Sequence, residues 1–238
     1  VNAKGYIAEA PSGSTQHNIS FIGTPNNGVI GKALGFDPTN TGNGGGFNLI
    51  GNPYPSAIDA DAFINESDNS ELDGTIWLWT HNTAFIDNPG IDMDFTVDDY
   101  ATYNLTGGTA ATSGGPVPTG NIGSSQGFFV RTLAAGTAFF NNPMRLDGQN
   151  NQFFRGNGSK KSNEEKDRIW LDVTSNEGGA FNQILIGFFD EATDGFDRGY
   201  DGIKFSGGNY ISFYSKIGDD RYAIQGLGSY SSDKQITL

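Results

Sequence analysis

The sequence predicts an all-β protein built from two sandwich modules, and three observations carry that reading. Short runs rich in β-branched and aromatic residues recur along the chain, separated by clusters of Gly, Asn, Pro and Ser. Glycine accounts for 35 of the 238 residues, about twice its usual share of ~7%, which marks a turn-rich and helix-poor chain. Aromatic residues make up 13%, with 18 Phe, 9 Tyr and 3 Trp, so there is enough large apolar surface to bury a core despite the glycine. Modules of jelly-roll or immunoglobulin-like kind fit this pattern.

Taken in order, strands are expected at Gly5–Glu9, Asn18–Ile22, Phe47–Gly51, Thr75–Thr80, Tyr100–Asn104, Gln126–Thr132 and Thr137–Asn141. A second set follows at Arg168–Thr174, Phe181–Asp190, Gly202–Phe205, Tyr210–Tyr214 and Arg221–Gly226. Arg168–Thr174 alternates cleanly, with Ile169, Leu171 and Val173 on one face and Trp170 and Asp172 on the other. One short helix is expected near residues 56–64. There Ser56 precedes Asp59 by three residues in the manner of a capping box, and Ala57, Ala60, Ala62 and Phe63 tolerate helix. The preceding Asn52-Pro53-Tyr54-Pro55 reads as a rigid corner, because each proline fixes φ and removes a donor, and Tyr54-Pro55 is a candidate cis bond. The Gly-rich stretches Thr39–Gly46 and Thr106–Gly120 read as surface loops.

Residues 156–167 contain no apolar side chain and a concentration of Lys, Gly and Ser. They read as a flexible, protease-accessible linker between a first module at residues 1–155 and a second at 168–238. The second offers few strands for a closed sandwich, which leaves open edges and an uncovered apolar face. Absent segments, or strands added by a neighbouring subunit, would cover them.

Composition also narrows the function. The formal charge of -13 argues against nucleic acid and against anionic membrane surfaces, both of which call for Lys and Arg. No stretch approaches the ~18 apolar residues of a spanning helix. The absence of cysteine removes disulfides, thiolate metal sites and cysteine nucleophiles. His17 and His81 are the two histidines, and neither falls in a pattern that marks a hydrolytic triad. No glycine motif of the phosphate-binding kind opens a helix.

Two acidic clusters are candidates for calcium, which takes six to eight hard oxygens. The first is Asp87, Asp92, Asp94, Asp98 and Asp99; the second lies between Asp190 and Asp201, with Asp194, Asp197 and Asp201 as the expected ligands. Neither has EF-hand spacing, and the alternative is an Asx-turn role in which Asp bonds its own backbone. Exposed aromatics could stack on sugars, and Trp170, Trp77 and Trp79 are the candidate ligand-binding residues; a buried Trp pair in a sandwich core is the competing explanation for Trp77 and Trp79. Paired carboxylates are numerous enough to keep a glycan hydrolase as an alternative, provided two face each other across a cleft.

The run Gly46-Phe47-Asn48-Leu49-Ile50-Gly51-Asn52-Pro53-Tyr54-Pro55-Ser56-Ala57-Ile58-Asp59 resembles a stretch of large secreted surface proteins of Bacteroidetes that carry a C-terminal sorting domain for type IX secretion. Further similar pieces follow in order, among them Ile76-Trp77-Leu78-Trp79, Gln126-Gly127-Phe128-Phe129-Val130, Arg168-Ile169-Trp170-Leu171 and Ala223-Ile224-Gln225-Gly226. The resemblance implies β-sandwich modules near the C-terminal end of a longer extracellular protein, of which this chain is a fragment, and it brings no catalytic residues. The expected function is therefore a non-enzymatic structural or adhesive module at the cell surface, a unit of a fibre or surface assembly. Its expected partners are other surface modules, copies of itself, or glycans. A carbohydrate-binding module with structural Ca²⁺ is the first alternative and a glycan hydrolase the second.

Overall fold

The computed structural model describes residues 2–7, 20–40, 45–83, 96–150, 154, 167–176, 179–205 and 211–238. Its first elements are β1 (Ile30–Leu34), β2 (Phe47–Gly51), β3 (Ile58–Asp59), α1 (Ala60–Ile64), β4 (Leu72–Trp79), β5 (Tyr100–Asn104), β6 (Gly107–Thr109), β7 (Asn121–Ile122), β8 (Gly127–Thr132) and β9 (Gly136–Phe140). After them come β10 (Asp167–Thr174), β11 (Phe181–Phe188), β12 (Gly202–Ile203), β13 (Ser215–Ile217) and β14 (Asp220–Leu227). The fold is all-β and sandwich-like, with one short α-helix among the described residues.

Two five-stranded sheets dominate. The first runs β2-β8-β4-β5-β6; the second runs β10-β11-β14-β12, with β13 paired to β14. Two small antiparallel pairs, β1-β9 and β3-β7, complete the set. Alternation along the first sheet sends side chains into two different cores. Ile50, Ile76, Leu78, Ala101, Phe128 and Val130 face a cluster shared with Phe63 and Ile64 of α1 and Phe140 of β9. Their neighbours Phe47, Trp77, Tyr100 and Phe129 face the second sheet and meet Ile203, Phe205 and Tyr222 there. A strand buried on both faces cannot alternate apolar with polar, which is why β4 reads Leu-Asp-Gly-Thr-Ile-Trp-Leu-Trp and is buried almost throughout.

The segment between β11 and β12 locks the sheets together. Arg198 donates to the carbonyls of Leu72 (2.7 Å), Ile64 (2.8 Å) and Asn69 (2.8 Å). Thr75 and Thr106 donate their hydroxyls to the carbonyls of Asp201 and Tyr200, at 3.1 and 2.7 Å. The crossing is tight where Gly74 meets Gly199. A Cβ on Gly74 would lie 2.5 Å from Gly199 backbone atoms, and Gly74 has φ +83° at a register shift in β4. Glycine is required there on both counts.

Several local expectations are revised. The helix cap is Asp59, not Ser56: the Asp59 carboxylate accepts from the backbone of Asp61 (2.8 Å) and Ala62 (3.4 Å). Helix α1 begins only at Ala60 because Ile58 and Asp59 are drawn into pairing with β7. Among the described residues every peptide bond is trans, Tyr54-Pro55 included. Residues 20–22 form no strand, and among the described residues near the start of the chain pairing is limited to a bridge between Lys4 and Ile50; residues 8, 9, 18 and 19 of the two expected strands lie outside the described residues. Of the expected strand Tyr210–Tyr214, Tyr210 lies outside the described residues and residues 211–214 form no strand; β13 begins at Ser215, and Gly218 (φ +60°) turns a tight hairpin into β14. Part of the expected loop Thr106–Gly120 is β6, hydrogen-bonded to β5. The linker residues 156–166 lie outside the described residues, as do His17, Asp87, Asp92 and Asp94.

Candidate functional site

Strand β10 ends the second sheet. It pairs with β11 over its whole length, Asp167 opposite Phe188 through Thr174 opposite Phe181, and no strand lies on its other side among the described residues. Its sequence alternates, yet neither face is fully covered: Ile169 is 45% exposed and Trp170 is 44% exposed. Trp170 points toward the first sheet, where its indole N–H donates to the carbonyl of Gly108 in β6 at 3.0 Å. That bond fixes the ring and ties the open strand to the sheet beneath it. Ile169 and Leu171 share the opposite face, where Leu171 packs on Ile184, Ile186, Phe188 and Leu227.

The three tryptophans do not form one platform. Trp77 is 0% exposed, within ring contact of Phe47 and Phe205 at 5.0 Å each, and it has no face to offer a ligand. Trp79 is half-buried at the end of β4 and stacks on His81 with ring centroids 4.7 Å apart. Trp170 is the one of the three with a substantially open ring.

The second acidic cluster is a hydrogen-bonded turn. Asp197 accepts from the backbone and hydroxyl of Thr193, and its own N–H donates to Asp201 at 2.6 Å. Asp201 is completely buried, and its second oxygen accepts from Gly226 N–H at 2.9 Å. Asp194 points elsewhere and pairs with Lys234. The three carboxylates do not converge, and among the described residues no group of three or more His, Cys, Asp or Glu is placed to hold a metal ion. This is the Asx-turn arrangement. Chelator is therefore expected to leave the melting temperature unchanged; a fall that disappears in Asp197→Ala would instead assign an ion to the turn. In the first cluster, Asp99 is buried and accepts from the backbone and hydroxyl of Thr83.

Burial governs the electrostatics. Asp201 is pushed up to about 7, chiefly by desolvation, with the two backbone amides opposing and Asp197 adding to the rise. Asp73, fully buried in β4, is raised to about 6 by burial against the pull of Arg131, whose Nε lies 2.8 Å away. Lys204 is drawn down to about 8 by burial.

Two features lay beyond sequence reasoning. A polar basin of about 450 Å³ opens on the outer side of the second sheet, lined by Lys216, Gln225, Ser231, Lys234 and Ile236 among others. Gln225 is buried there, and its Oε1 has no hydrogen-bond partner among the described residues. The second is a contact between Lys204 and Asn182, 2.5 Å from Nζ to Oδ1. Neither has a motif, because each joins residues distant in sequence that only the tertiary fold brings together.

No helix among the described residues is long and apolar enough to cross a membrane. No curated protein and no solved structure matches the chain. A family model does match, across residues 1–238, and the chain belongs to that family, described as a domain of unknown function (DUF8693).

Proposed function

We propose that this protein is a non-enzymatic module of an extracellular bacterial surface protein, which assembles with neighbouring modules through the open edge of its second sheet. The observation that carries the reading is β10: eight residues long, unpaired on its outer side among the described residues, with Ile169 and Trp170 exposed on its two faces. Such an edge is a template for a further strand. The occupant favoured here is a strand from a second copy, since backbone pairing needs no sequence code beyond alternating side chains. The buried carboxylates support a structural role, because Asp73, Asp99 and Asp201 are each engaged by backbone amides or Arg131 rather than aimed across a cleft.

Light scattering tests the reading. The wild-type mass is expected to rise with concentration, and Ile169→Lys, which places a charge on the open strand, is expected to hold the chain as a monomer. A wild-type monomer at every concentration up to about 1 mM would overturn it, since a weaker contact would be worth less than about 4 kcal/mol.

A second reading, glycan binding, draws on two observations: the fixed, half-exposed ring of Trp170, and Gln225 at the polar basin, whose Oε1 has no hydrogen-bond partner among the described residues. Binding on a glycan array that is lost in Trp170→Ala or Gln225→Ala would favour it over assembly.

A further inference from the structure

We propose that Lys204 and Asn182 join in an intramolecular isopeptide bond, with the lysine Nζ bonded to the asparagine Cγ and ammonia released. The geometry places the two groups in reach. Nζ donates to Oδ1 at 2.5 Å, and because a C=O bond is about 1.23 Å long, Cγ lies no more than about 3.7 Å from the nitrogen. Reacting atoms in near-attack conformers sit about 3–3.5 Å apart, so little movement separates this contact from attack. The amide is also held: Asn182 is 1% exposed, and its Nδ2 donates to the Ile211 carbonyl at 3.2 Å.

The surroundings suit the reaction. An ammonium is not a nucleophile, and burial draws Lys204 down from 10.5 to about 8, which brings the neutral amine within reach of ordinary conditions. Asp98 is the carboxylate whose charge acts on Lys204, and burial raises it above the usual carboxylate range. Beside Lys204 is a cavity of about 20 Å³, walled in part by Val97, Tyr100, Phe205 and Ala223. That volume accommodates one molecule the size of water, and ammonia is of that size.

The step balances without oxidant or cofactor. The lone pair on Nζ forms the new C–N bond, the Cγ–Nδ2 bond breaks, and a proton from Nζ passes to the departing nitrogen, which leaves as NH₃. The product ties β11 to the residue after β12, across the intervening β14. It closes a loop spanning 22 positions in sequence around the acidic turn. A covalent tie there would hold the second sheet against peeling, whatever the module binds.

Intact mass spectrometry of the purified wild-type chain after incubation at pH 8 tests the proposal. The expected mass is about 17 Da below that of the sequence, the loss of one ammonia. Asn-Gly pairs at Asn27, Asn43 and Asn157 can lose the same mass by cyclising on their own backbone. The assignment therefore rests on peptide mapping, where one branched peptide containing Asn182 and Lys204 is expected. Lys204→Arg is expected at full sequence mass at this site. Wild-type chain in which Asn182 and Lys204 are recovered on separate, unmodified peptides would overturn the proposal. Because the decisive readout is made on the wild-type chain, a variant that fails to fold does not blunt it.

Discussion

Replacing Trp77 with alanine is expected to lower the unfolding free energy by about 3–5 kcal/mol, the range for deleting a large aromatic side chain from a packed core. Trp77 is wholly buried between the two sheets, with Phe47 and Phe205 against it and Phe205 also 5.5 Å from Tyr100. The cavity left behind would sit where Phe47, Tyr100 and Phe129 of the first sheet meet Phe205 and Tyr222, so the surroundings have few ways to collapse into it. For a chain of this size the loss corresponds to a fall in melting temperature of roughly 6–20 °C. Trp77→Phe is expected to cost less, since the indole N–H is buried without a hydrogen-bond partner among the described residues and phenylalanine removes that group. Trp170→Ala gives the contrast: its ring is half exposed and it forfeits one hydrogen bond, for an expected cost of about 1–2 kcal/mol. Equal losses for Trp77→Ala and Trp170→Ala in urea titrations would contradict the division of the two residues between core and surface.

The second large effect is on pH dependence. Stability is expected to fall by about 2–3 kcal/mol between pH 5 and pH 8 through Asp201 alone. Burial raises its carboxyl from 3.8 to about 7 in the folded chain. The folded state therefore holds a proton that the unfolded state has already released. The resulting stabilisation is complete below about 3.8 and is lost as pH rises through about 7. Asp73, raised to about 6, acts in the same direction in the lower part of that window. Lys204, while its amine is free, stands in the opposite relation, lowered to about 8, so its contribution changes mainly above this window. Denaturant midpoints at pH 5 and pH 8, compared at a common slope, measure the difference. Asp201→Asn is expected to be less stable than wild type at pH 5 and to show a smaller change between the two values. A wild-type midpoint that is flat or rises over the interval would refute the assignment.

Much of the fold was legible because strand formation here leaves a local trace. Phe47–Gly51, Tyr100–Asn104 and the alternating run after Asp167 were marked by aromatic and β-branched residues between turn formers, and they appear as β2, β5 and β10. The misses share a cause. Ile30–Leu34 is a strand because β9 pairs with it over five residues, and Gly107–Thr109 because β5 does; neither run is rich in strand formers. The cap moved from Ser56 to Asp59 for the same reason, since pairing with β7 claimed the residues between. At the candidate sites, the choice between an Asx turn and a calcium loop at Asp194, Asp197 and Asp201 depended on where each carboxylate points, which spacing does not encode.

By itself the sequence determined the class of protein: all-β, aromatic-cored, turn-rich and strongly acidic, because these follow from composition and from a period-two pattern that any strand must obey. Tertiary structure alone decided which apolar residues became surface. Trp77 and Trp170 lie in similar local contexts, yet one fills the space between two sheets and the other stands at an open edge. It also decided which polar residues became reactive neighbours. Lys204 meets Asn182 across an intervening strand, and the acidic turn closes on the amide of Gly226. The physical reason is that burial and proximity are properties of pairs of segments distant in sequence, and strand order within a sheet, which creates those pairs, is written in no single stretch of the chain.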